Sequence, residues 1–191
     1  MNPAQQNVTQ DIMKTFELDK RHRRSVRLKG YDYSEAGAYF VTICTKARSC
    51  LFGEVAAGEM RSNRLGDIVK ETWEGIPGHY PSVELGPFIV MPNHIHCVII
   101  IGRAGLSPAP TTALTPHPTG LPGIVQALKS FSTRRCNEIR GSAGGTIWQR
   151  NYYEHIIRNE EELNKVYDYI EANPSRWGDD DDNPEKETGR A

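Results

Sequence analysis

Two histidines one residue apart, in "MPNHIHCVII" (residues 91–100), stand just before an apolar run. In an extended strand, residues two apart project from the same face, so His94 and His96 lie side by side while Ile95 and Cys97 turn into apolar packing. Two imidazoles so placed can converge on one metal ion; the competing reading makes them half-buried strand histidines bonded to their neighbours. A second pairing stands near the C-terminus, where "YIEAN" puts Tyr169 and Asn173 four residues apart, stacked on one helical face. A tyrosine and an amide side chain would enter the same site together. The alternative is a core aromatic at Tyr169 and a helix C-cap at Asn173, just before Pro174. Tyr167 lies about 200° round the helix from Tyr169, so only one of the two can face a site on the sheet.

The elements that must position these residues follow from periodicity and turn signals. "AYFVTICT" (38–45) is β-branched and aromatic and predicts a first strand, ending where "KARSCLFGEV" begins an excursion. "RLGDIVKETWEGIP" carries apolar residues at 65, 68, 69, 73 and 76, the spacing of an amphipathic helix stopped by Pro77. Strands over 83–91 and 94–101 are separated by Pro92 and Asn93, a turn suited to an antiparallel hairpin. Residues 102–122, rich in Pro, Ser, Thr, Gly and Ala, predict a flexible insertion. Helical periodicity resumes over 121–141, with Gly141 as a stop, and "TIWQRNYYEHIIR" (146–158) predicts a last strand. Asn159 is an N-cap for a terminal helix that ends at Asn173. The order β, α, β, β, α, β, α gives an α+β fold: a ferredoxin-like (RRM-like) antiparallel sheet with helices on one face, plus an extra C-terminal helix carrying Tyr169.

At 191 residues the chain is expected to form one domain with a real core. No apolar run approaches the ~18 residues of a membrane span, and the N-terminus lacks the apolar core and cleavage site of a secretory signal, so a soluble, cytoplasmic protein without a membrane partner is expected. Cys44, Cys50, Cys97 and Cys136 show no CxxC spacing and read as reduced thiols. The formal charge of −1 conceals an asymmetry: the last fourteen residues hold six acids against two bases, leaving residues 1–177 mildly basic. Residues 1–21 read as a flexible arm, 22–177 as the working domain and 178–191 as a disordered acidic tail.

Three segments in order, "VMPNHIHCVII", "IWQRNYYEHIIR" and "VYDYIEANPSRW", resemble the signatures of the IS200-like single-tyrosine HUH transposases, specifically their REP-associated tyrosine transposase branch. The resemblance spans roughly residues 22–177. It implies that His94 and His96 are metal ligands, that Tyr169 is the nucleophile, and that Asn173 is the third ligand where the wider family has glutamine. It further implies Mg²⁺ or Mn²⁺, a 5′-phosphotyrosine intermediate, and single-stranded DNA hairpins of REP-like palindromic repeats as partners, with the protein acting as monomer or homodimer. Phosphate contacts are expected from Arg23, Arg24 and Arg27 on the arm and from Lys129, Arg134, Arg135 and Arg140 on the second long helix; Tyr31, Tyr33 and Trp148 are candidates for stacking on bases. No general base is evident, since Asp168 and Glu171 point elsewhere on the helix. The alternatives are a domesticated hairpin or single-strand binder with little or no cleavage, a ferredoxin-like RNA-binding module, which would want paired aromatics on its central strands, and a metal-dependent hydrolase that leaves no protein–DNA link.

Overall fold

The computed structural model describes residues 36–102, 120–142 and 144–188. Arg23, Arg24, Arg27, Tyr31 and Tyr33 lie outside them, as do the arm itself and nearly all of the 102–122 insertion. The elements are β1 (Gly37–Cys44), a two-stranded ribbon of β2 (Gly53–Ala56) and β3 (Glu59–Ser62), α1 (Arg64–Glu74), a short turn α2 (Ile76–His79), β4 (Val83–Val90), β5 (His94–Ile101), α3 (Leu121–Arg140), β6 (Tyr153–Ile157), α4 (Glu160–Ala172), a 3-10 turn (Pro174–Asp179) and α5 (Glu185–Thr188). The main sheet runs β4-β5-β1-β6 and every pair in it is antiparallel, the strand order of a ferredoxin-like plan.

Register decides what each face carries. Phe40, Thr42 and Cys44 of β1 stand directly opposite Val98, His96 and His94 of β5, and partners share a face. The other face presents Tyr39, Val41, Ile43, Ile95, Cys97 and Ile99 to a core completed by Ile68, Val69 and Trp73 of α1 and Leu121, Ile124 and Leu128 of α3. The expectation of helices on one face holds for α1 and α3. α4 packs on the opposite face, where Val166, Tyr169 and Ile170 meet Phe40, Val98 and Ile157 in a second, smaller cluster. β5 is therefore buried on both sides, which explains a nearly continuous apolar run interrupted only by the two histidines. Among the described residues no helix is long and apolar enough to cross a membrane, and the four cysteines form no disulfide with one another.

Caps sit where the residue chemistry requires them. The Asn63 side chain accepts from the backbone N–H of Leu65 and Gly66 to start α1, and Asn159 accepts from Glu162 N–H to start α4. Gly141 closes α3 in the left-handed conformation, with φ of 61°.

Three features depart from the sequence reading. The excursion after β1 folds into the β2–β3 ribbon. The last strand covers only Tyr153–Ile157, because Ile147 and Trp148 turn into the core instead of running along the sheet edge. The first part of the acidic tail, expected as disordered, is tied down: Asp182 pairs with Arg48 at 3.1 Å, Lys186 reaches Asp181 at 2.7 Å, and Asn183 donates to the carbonyl of Trp177. Two of its carboxylates, Asp181 and Asp182, are paired with bases, which helps hold this run of acids against the domain.

The ribbon leans on Gly53, whose φ of 139° is poorly accessible to other residues and where a Cβ would sit 2.0 Å from the carbonyl oxygen of Arg61. Gly53→Ala is expected to lower stability by at least about 1–3 kcal/mol, read as a shift in the urea midpoint; a loss below about 0.5 kcal/mol would show that the ribbon is not built as described.

Candidate active site

His94 and His96 are both fully buried on the α4 face of β5. Their Nε2 atoms converge to 3.0 Å, and the orientation of each ring is fixed from behind. Asn93 donates its Nδ2 to the carbonyls of Arg48 (3.0 Å) and Asp182 (2.6 Å), which turns its Oδ1 toward His94 Nδ1 at 2.9 Å. An amide oxygen can only accept, so His94 carries a proton on Nδ1, and in the neutral ring the lone pair is on Nε2. His96 Nδ1 meets the Thr42 hydroxyl at 2.8 Å; a hydroxyl can donate or accept, so His96 can hold its proton on either nitrogen. With the proton on Nδ1, both lone pairs aim at one point. Two lone pairs 3.0 Å apart repel unless a proton or cation lies between them, and metal-bound histidines are commonly oriented by such partners on the far ring nitrogen.

α4 brings in the other two residues of the sequence reading. Tyr169 is 7 % exposed while Tyr167 is 43 % exposed, so the helix chooses between them as its phase requires. The Tyr169 ring stands edge-on to Phe40 at 5.8 Å, and its hydroxyl is 3.4 Å from His96 Nε2. Asn173 lies one helical turn further on, 4 % exposed, and its Oδ1 is a buried acceptor with no hydrogen-bond partner. An orphaned buried carbonyl costs about 1–3 kcal/mol, and Asn173 does not act as a side-chain cap of the following turn. Two convergent imidazoles and an unsatisfied amide oxygen are a donor set that suits a hard or borderline divalent cation. The residues present thus fit a metal: His94, His96 and Asn173 would hold it. Asp168 and Glu171 are exposed on the far side of the helix.

The basic residues of α3 separate into two kinds. Lys129 Nζ lies against the carbonyls of Gln149 (2.9 Å), Arg150 (3.1 Å) and Asn151 (3.3 Å), and burial lowers its ammonium to about 8. Arg135 is bound to Glu71 and to Thr72 Oγ1, and together with Arg64 it holds the Glu71 carboxyl below its ordinary value. Both side chains are thus engaged within the fold. Arg134 and Arg140 are exposed and make no ion pair with a described residue. α3 itself packs on the face opposite the histidines. Trp148 is also removed from the list of base-stacking side chains: it is 4 % exposed, with its indole N–H donated to Ser132 Oγ. Lys129→Met is expected to cost about 1–3 kcal/mol by stranding the carbonyls of residues 149–151, measured by urea denaturation; an unchanged midpoint would return Lys129 to the surface pool.

Sequence reasoning missed Asn93, Thr42 and the tail residue Asp180, whose Oδ2 stands 3.9 Å from His94 Nε2. Asn93 was legible only as a turn residue, and nothing in a run of four aspartates distinguishes one from its neighbours. His155 pairs with Glu162 at 2.5 Å, and His79 is exposed beside Phe131.

No family profile matches the chain. An uncharacterized protein of Haemophilus influenzae is 42 % identical over 170 residues, covering 83 % of this chain and 92 % of that one. A second protein of the same organism, named "Putative REP-associated tyrosine transposase", is 30 % identical over 149 residues, covering 77 % and 75 %. Among solved structures, a REP-associated tyrosine transposase bound to a REP hairpin shares the fold, with a TM-score of 0.56 at 21 % identity over 78 % of this chain and 72 % of that one. With the ferredoxin-like sheet carrying an HxH pair opposite a helix-borne tyrosine, and with a relative of that name matched over three quarters of its length, the chain belongs to the family of REP-associated tyrosine transposases.

Proposed function

We propose that the protein is a metal-dependent single-stranded DNA transposase that cuts and rejoins DNA at REP-like hairpins through a 5′-phosphotyrosine on Tyr169, with His94, His96 and Asn173 holding Mg²⁺ or Mn²⁺. The observation that carries this reading is the meeting of two Nε2 atoms at 3.0 Å with the Tyr169 hydroxyl 3.4 Å from one of them. The hairpin substrate is supported by the REP hairpin bound to the structural relative.

The Tyr169 oxygen attacks phosphorus in line, the bond to the 3′ oxygen of the upstream nucleotide breaks, and that oxygen leaves as a 3′-hydroxyl. The phosphodiester is replaced by a phosphotyrosine ester of similar energy, so attack by another 3′-hydroxyl reverses the step without an external energy source. A bound divalent cation would polarise the scissile phosphate and offset charge developing on its oxygens. The chain's own residues do the rest by position. Phe40, Val166 and Ile170 lock the Tyr169 ring, while Asn93 and Thr42 fix the imidazoles, so the reacting groups need little reorganisation. The phenol, with an ordinary pKa near ~10, must lose its proton during attack. His96 cannot take that proton while its Nε2 is engaged as a ligand, so water is the acceptor in this reading.

The test is incubation with Mn²⁺ and 3′-labelled single strands carrying a palindromic hairpin with its 5′ flank, resolved on a denaturing gel. A labelled protein band is the expected result, since a 5′-phosphotyrosine retains the 3′ fragment. Hairpin binding without any adduct would favour a domesticated binder, and cleavage without a protein-linked product would favour a hydrolase.

A further inference from the structure

We infer that the acidic tail supplies a further metal ligand, the Asp180 carboxylate, so that docking of the tail and loading of the cation are one coupled event. This rests on the metal site proposed above. Asp180 Oδ2 is 3.9 Å from His94 Nε2, and its side chain is 10 % exposed. Two ligands of one cation, each about 2.1 Å from it, lie between about 3 and 4.2 Å apart according to their angle; 3.9 Å falls inside that span. Among the described residues no group of three or more His, Cys, Asp or Glu is placed to hold a metal ion as it stands, so ligation by Asp180 requires its carboxylate to move toward the histidines.

The buried Asn173 Oδ1, which has no hydrogen-bond partner, opens the 3-10 turn whose other end is capped by Asp180, so the two residues flank one element. The tail is also fastened close to the histidines. Arg48 holds the Asp182 carboxylate at 3.1 Å and the Asp181 carbonyl at 2.6 Å. Asn93, the residue that sets the tautomer of His94, spends its amide N–H on the Asp182 carbonyl. One side chain therefore reads both the tail and the ligand histidine. The chemistry favours the addition: two imidazoles and an amide are neutral, and one carboxylate gives a hard dication the charge it otherwise lacks. Four protein ligands would still leave two of six positions for a phosphate oxygen and water.

The test is titration of the metal-free full-length protein with Mn²⁺, by calorimetry and by the electron paramagnetic resonance signal of free Mn²⁺. Asp180→Asn keeps the Oδ1 that accepts from Asp182 N–H at 2.8 Å, so the turn survives while the anionic ligand is lost. The expected result is Mn²⁺ affinity at least about tenfold weaker, with Arg48→Ala shifting the same way because the tail is unfastened. Loss of binding in His94→Ala shows that the tail's acids alone do not account for the signal. Affinity unchanged or tighter in Asp180→Asn, with His94→Ala still defective, would overturn the inference and leave the three-residue site standing. Normal binding in His94→Ala would instead sink the metal reading itself.

Discussion

Tyr169→Phe eliminates the protein–DNA adduct while leaving the fold, the metal affinity and hairpin binding in place. The ring supplies the packing: it stands against Phe40 and belongs to the cluster of Val98, Val166 and Ile170. The hydroxyl makes a long contact of 3.4 Å to His96 Nε2, whose removal costs less than about 1 kcal/mol. Activity behaves differently, because loss of a covalent nucleophile removes the step itself; a fall of roughly 10⁴- to 10⁶-fold in cleavage is expected. Single-turnover cleavage and the unfolding midpoint of the same preparation separate the two effects. If adduct persists in Tyr169→Phe, the nucleophile has been misassigned. Tyr153 is then the next tyrosine to examine, since it pairs opposite Thr42 and its ring lies 6.3 Å from Phe40 on the same face.

The histidine pair and the tyrosine were legible because strand and helix phase are set by local stereochemistry. His94 and His96 had to share a face, and Tyr167 and Tyr169 could not. Asn159 and Gly141 were legible for the same reason, since capping is a contract between neighbouring residues. What could not be read was every feature decided by distant chain. Lys129 and Arg135 sit on the polar side of an amphipathic helix, and no periodicity says that the carbonyls of residues 149–151 or the carboxylate of Glu71 will come to meet them. Trp148 falls in a stretch with strand composition, yet the hydroxyl of Ser132 and the ring of Phe52 pull it inward. The tail misled most. Four consecutive aspartates read as a solvated run unless one knows that Arg48, Lys186 and the Asn93 amide are waiting. The candidate site was thus half visible: the proposed nucleophile and ligands lie in motifs, whereas the groups that orient them lie in turns and in the tail.

His94→Ala and His96→Ala should each abolish cleavage, and a thermal measurement distinguishes ligands from buried structural histidines. Removing either ring leaves a void in a packed site and strips a hydrogen bond from Asn93 or Thr42, so both variants should lose about 2–4 kcal/mol whatever the histidines do. Stability loss alone therefore says nothing about function. The discriminating quantity is the response to metal. A cation bound only by the folded state stabilises it by RT ln(1 + [M]/Kd), which is about 2.7 kcal/mol at a hundredfold excess over Kd. For a chain of this size that corresponds to a rise of roughly 5–11 °C in Tm. Wild-type protein and Tyr169→Phe should both show the rise on addition of Mn²⁺ and lose it on chelation. His94→Ala and His96→Ala should not, because the convergence of the two imidazoles on one point is lost and the remaining ligands hold the ion too weakly. An equal rise in the histidine variants would mean that the convergent Nε2 atoms share a proton and nothing else, and that Tyr169 lies beside an ordinary buried hydrogen bond.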